Sequence, residues 1–130
     1  MPGVHVEPSS EYRALIDKLR RALLDCVGAG ETVTYSELAA RVDFPGPHRI
    51  HRLTELLEFM VREDHAAGRP LLAALAVSRS QHGSPGRGFF QLLAELGRYD
   101  GPEQGPEGAA AHAAEMKAAV AFWRDEPPPS

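Results

Sequence analysis

The chain has a single cysteine, Cys26, in 130 residues, so no internal disulfide can staple it and its stability has to come from packing. Lysine is nearly absent: Lys18 and Lys117 stand against twelve arginines. Together with abundant alanine and proline, that bias reflects a GC-rich bacterial coding sequence more than any chemistry. No apolar run approaches the length of a membrane span, and no charged segment followed by an apolar run marks a signal peptide; both point to a soluble cytoplasmic chain with no membrane partner. An overall positive charge is also missing. The formal net charge is −4, so any contact with nucleic acid has to come from a local patch. There is no internal repeat. What remains, 43% hydrophobic and 25% charged residues, is an ordinary globular composition with material for one core.

The pattern along the chain is mainly helical. Tyr12, Leu15, Ile16, Leu19, Leu23 and Cys26 recur at helical spacing, which predicts a helix from Ser9 or Ser10 to about Val27, ended by Gly28 and Gly30. Thr34-Tyr35-Ser36-Glu37 fits the capping box, with Val33 and Leu38 placed as a hydrophobic staple, and a short helix over 35–42 follows. "DFPGPH" breaks the chain, Pro47 suits the first turn of the next helix, and Ile50, Leu53, Leu56, Leu57, Met60 and Val61 mark one face of a helix reaching about Ala67. Its carboxylates, Glu55, Glu58, Glu63 and Asp64, read as a solvated face. "PLLAALAVS" reads as a buried strand, "RSQHGSPGRG" as a loop and "FFQLLAELG" as a short helix. The expected organisation is an arm (1–8), a domain (9–97), a polar linker without core residues (98–108), a C-terminal helix (109–125) docking through Phe122 and Trp123, and a tail (126–130).

Helix, short helix, long helix, strand and hairpin-like loop follow the order of a helix-turn-helix with a wing. The fold class expected is therefore mostly α with a small β component, a winged helix-turn-helix-like domain plus an additional C-terminal helix. "TYSELAARV" followed by "PGPHRI" resembles the DNA-binding region of the alkylguanine-DNA alkyltransferases and alkyltransferase-like proteins, and the similarity extends over roughly residues 30–97. The resemblance implies that Tyr35 presses on the backbone of a flipped nucleotide and that Arg49 enters the duplex. It also has a gap. That family's acceptor cysteine follows a proline in a proline-cysteine-histidine-arginine motif, whereas here the residues are Pro70-Leu71-Leu72-Ala73, so alkyl transfer by that route is excluded.

The function expected is that of a non-enzymatic DNA-binding protein, on duplex or distorted DNA, with no cofactor, metal or catalytic residue. Its candidate contacts are Tyr35, Ser36, His48, Arg49, His51 and Arg52 around the two helix starts, with Arg79 and Arg87 on a glycine-rich wing. From His48 to Arg87 six basic residues face four acidic ones, a local balance of +2, while the rest of the chain sums to −6. The plainer reading of the same cations is a solvated helix face, with Arg52 pairing to Glu55 or Glu58. His48 and His51 have helical proximity suited to a metal but no evident third ligand, and Cys26 reads as a small core residue. The competing function is a protein-interaction module on the same scaffold, using an apolar strip of Phe89, Phe90, Phe122 and Trp123. A homodimer through the C-terminal helix is the assembly expected.

Overall fold

A computed structural model describes residues 10–78, 86–103 and 105–124. Among these, α1 (Ser10–Ala29), α2 (Tyr35–Arg41), α3 (Arg49–Ala66), α4 (Arg87–Glu95) and α5 (Gly105–Arg124) carry most of the chain, with strands β1 (Val33–Thr34) and β2 (Ala76–Val77) between them. The capping box forms as its spacing requires. The Glu37 amide donates to Thr34 Oγ1 at 3.1 Å, and the Thr34 amide donates to Glu37 Oε1 at 3.0 Å. Val33 and Leu38, on either side of that cap, are both buried in the core. Pro47 does not open α3: His48, in the left-handed region with φ of 55°, is the residue from which the helix starts. Histidine tolerates that region better than bulkier residues do.

The apolar run Leu71–Val77 differs most from expectation. It is not a strand throughout. Leu72–Leu75 form a turn of 3₁₀ helix, and only Ala76 and Val77 pair, in parallel, with Val33 and Thr34. The composition accounts for this, because six of the seven residues are leucine or alanine and only Val77 is β-branched. The run is buried along its whole length, with the 3₁₀ turn packed among α1, α3 and α5. Of the loop expected as a wing, 78–88, residues 79–85 lie outside the described residues, and Arg87 and Gly88 belong to α4 instead of the loop.

Ile16, Leu19, Leu23, Leu53, Met60, Leu72 and Leu93 form the fully buried centre. Tyr12, expected on that stripe, is exposed at the edge of the core, where its ring meets Arg52 of α3. The segment expected as a linker without core residues is shorter and more engaged. Tyr99 packs against the core and donates its hydroxyl hydrogen to the Pro102 carbonyl at 2.6 Å, and α5 begins at Gly105. Gly108 is buried where a Cβ would overlap the Glu103 carbonyl. Helix α5 docks on α1 and on the 3₁₀ turn of its own chain through His112, Ala119 and Trp123, leaving Phe122 only partly buried.

Charge is buried at the junction of α1 and α3. Asp64, expected on a solvated face, is fully buried and accepts from Arg20 at 3.3 Å, from Arg69 at 2.9 Å and from the Leu72 amide at 3.3 Å. Glu63 beside it takes hydrogen bonds from Arg13 and Arg20, both at 3.1 Å. Burial alone would raise the Glu63 pKa, but the two guanidiniums outweigh it and hold the carboxyl below its usual range.

His112 is 4% exposed and its Nε2 lies 2.8 Å from the Ala74 carbonyl oxygen, to which the neutral ring donates. Burial pushes the imidazole below its ordinary value, against the opposing pull of the Ala74 carbonyl and Glu115. The unfolded chain therefore takes up the proton first as pH falls. Stability contributed by neutral His112 is present above about pH 6.5 and is lost progressively as pH drops from there towards the folded-state value. Thermal unfolding followed across that window should show a falling midpoint, with a flatter fall in His112→Gln, whose amide keeps a donor for Ala74 without titrating. An equal slope in the variant would assign the loss to other groups.

Candidate functional site

The start of α3 projects from the turn that follows α2. Its first helical turn contains no acid, and no side chain caps its amides. The unsatisfied N–H groups and the helix dipole give this end a partial positive charge, and a cation placed there is disfavoured by about 0.3–1 kcal/mol unless an anion is near. Here basic residues accumulate. His48, Arg49 and His51 are exposed, and neither the His48 nor the Arg49 side chain has a hydrogen bond or ion pair among the described residues. His51 stands 3.6 Å from Glu55, both widely exposed, so that contact contributes little. Ile50, between them, is one of the two large hydrophobic residues left exposed among the described residues.

Arg52 follows neither of the expected pairings. Its guanidinium lies 5.8 Å from the centre of the Tyr12 ring and 6.0 Å from that of Phe44, and it donates to the Tyr12 hydroxyl at 3.4 Å. The arginine is therefore aligned by aromatic surface while remaining partly open to solvent.

Ser36 is exposed in the first turn of α2, but Tyr35 beside it is half-buried. Its hydroxyl accepts the Gly86 amide hydrogen at 2.8 Å, which ties the start of α2 to the start of α4. Burial pushes the phenol's pKa up, the Gly86 amide works against that, and the negative charge of Glu58 adds to it. Tyr35 thus belongs to a cleft of about 150 Å³ between α3 and α4, walled by Leu57, Glu58, Val61, Phe89 and Leu92. Sequence spacing gave no sign of that cleft, because its walls come together only when α4 folds back onto α3. Arg79 lies outside the described residues. Arg87 supplies the first residue of α4, and its side chain is outside the description.

Folding also brings together a group that reading the sequence did not single out. Lys18 and Arg21 of α1 and Arg41 of α2 line an open groove with Asp25 and Asp43, a local balance of +1. Cys26, nearby, is a buried core residue whose sulfur accepts a hydrogen bond from Arg41 at 3.4 Å. Desolvation raises its pKa despite that arginine, so the reactive thiolate is disfavoured.

The strip on which an interaction module was expected to rely is largely internal, since Phe89, Phe90 and Trp123 are buried in their own chain. Among the described residues no three histidine, cysteine, aspartate or glutamate side chains are grouped to hold a metal ion, and no helix is long and apolar enough to cross a membrane. No family model, no curated protein and no solved structure matches the chain.

Proposed function

We propose that the chain is a non-enzymatic DNA-binding protein of winged-helix type whose α3 start meets the phosphate backbone. The observation that carries this reading is the exposed, uncapped first turn of α3, with His48 and Arg49 unpaired among the described residues and no acid within the turn. A cation such as Arg49 at the positive end of a helix is unfavourable, and a phosphate would reverse that effect. Arg52, aligned over Tyr12 and Phe44, adds a second cation on the same helical turn. The wing of the reading is the glycine-rich loop bearing Arg79, with Arg87 where that loop enters α4, and the resemblance of "TYSELAARV" and "PGPHRI" to alkyltransferase DNA-binding segments supports the same surface.

The test is fluorescence anisotropy of labelled duplex and single-stranded DNA over a salt series. Each phosphate neutralised on duplex DNA contributes about 0.9 to the slope of log affinity against log salt. Arg49→Ala should lower that slope by about one and weaken binding on every sequence tried. Binding that does not change with salt, or that is the same in Arg49→Ala, would overturn the reading.

A further inference from the structure

The cleft between α3 and α4 carries a chemistry that phosphate contact does not use. Its floor is apolar, built from Leu57, Val61 and Leu92, and two aromatic rings, Tyr35 and Phe89, contribute to the wall. Phe89 is held in place by edge contacts to Phe90 and His112, with ring centres 6.0 and 6.2 Å away. Glu58 is the one acid among the described lining residues, and no described base lines the cleft with it. Arg62, one turn further along α3, is engaged by Glu95. Two glycines keep the rim low. A Cβ at Gly88 would come to 3.1 Å from Glu58 Oε2, and one at Gly86 to 3.4 Å from the Tyr35 hydroxyl.

We propose that this cleft binds a small organic cation, an ammonium group carried on an aromatic or branched aliphatic body. The volume, about 150 Å³, is on the scale that accepts one benzene-sized ring. An apolar body would cover Leu57, Val61 and Leu92, and the charged end would meet the Glu58 carboxylate in a cleft that Tyr35 and Phe89 also line, aromatic rings being able to attract cations through their quadrupoles. An anion would be repelled by Glu58. A neutral ligand of the same shape would strip water from that carboxylate and return to it at most an uncharged hydrogen bond. The negative field of Glu58 already reaches the Tyr35 phenol, whose proton it helps to retain.

The experiment is a titration of the full ¹⁵N-labelled chain with benzylammonium, benzyl alcohol and benzoate, read at the Gly86 and Gly88 amides by heteronuclear NMR. Benzylammonium should give saturable shifts at both amides, benzyl alcohol should bind roughly fivefold more weakly and benzoate weaker still. Glu58 is exposed, so Glu58→Gln should leave the fold intact and bring benzylammonium down to the level of the alcohol. Gly88→Ala should weaken both ligands by displacing the Glu58 carboxylate into the cleft. Equal binding of ammonium and alcohol, an ammonium affinity unchanged in Glu58→Gln, or the absence of saturable shifts at Gly86 and Gly88 would overturn the proposal.

Discussion

Asp64→Ala is expected to remove about 3–5 kcal/mol of folding stability, the range found when one partner of a buried ion pair is deleted. The reason is the company that Asp64 keeps. It is fully buried, it lies within 3.1 Å of a guanidinium nitrogen of Arg20, itself 7% exposed, and it accepts from Arg69 and the Leu72 amide. Deleting the carboxylate strands the Arg20 charge in a desolvated site and leaves the Leu72 N–H without its acceptor. Glu63 still holds part of Arg20 at 3.1 Å, which favours the lower half of the range. Urea unfolding monitored by circular dichroism measures the loss directly, and Asp64→Asn, which keeps an acceptor but no charge, should fall between wild type and alanine. A loss under about 1 kcal/mol, the worth of an exposed pair, would mean that the cluster is far more hydrated than its burial implies.

Trp123→Ala should cost a comparable amount, about 3–5 kcal/mol for an aromatic ring removed from a packed site. The ring is 8% exposed, its N–H donates to the Pro70 carbonyl at 3.2 Å, Arg69 lies 5.6 Å above it and Phe122 meets it edge-on. The same residue reports on how α5 is used. With α5 docked on its own α1 and 3₁₀ turn, unfolding midpoints of wild type and variant should not depend on protein concentration, whereas helices exchanged between two copies would make both rise with it. Arg69 touches Asp64 and Trp123 alike, so the double variant should lose less than the two single losses combined.

Local chemistry was the part of this fold most open to reading. The Thr34 to Glu37 capping box, the apolar stripes of α1 and α3 and the short helix near Phe89 follow from spacing alone, because each is decided by residues within two turns of one another. The buried charges were missed for the opposite reason. By residue type Asp64 reads as part of a solvated face, yet it continues the buried series Leu53, Leu57 and Met60; Arg20 likewise continues Ile16 and Leu19. A signal was present: two opposite charges, one on each of two apolar stripes, each needing the other. Leu71–Val77 could not be resolved by periodicity because a run buried on every side has none, and its leucine and alanine content was the better guide.

At the candidate site, the exposed cations of α3 were legible as a basic cluster. Tyr35 and Arg52 were legible only as candidates. The hydroxyl of Tyr35 and the guanidinium of Arg52 are placed by Gly86, Tyr12 and Phe44, residues far from them in the chain, and no local pattern encodes such meetings.

Because α5 packs on α1, the first and last described helices seal the same core. On a ribosome, α1, α2 and α3 emerge while the surface meant for Ala119 and Trp123 is still uncovered, and the apolar run Leu71–Val77 has only part of its final enclosure. Closure has to wait until Trp123 is clear of the exit tunnel, so the nascent chain carries an open seam until then, a window in which holdase chaperones should compete for Leu71–Val77.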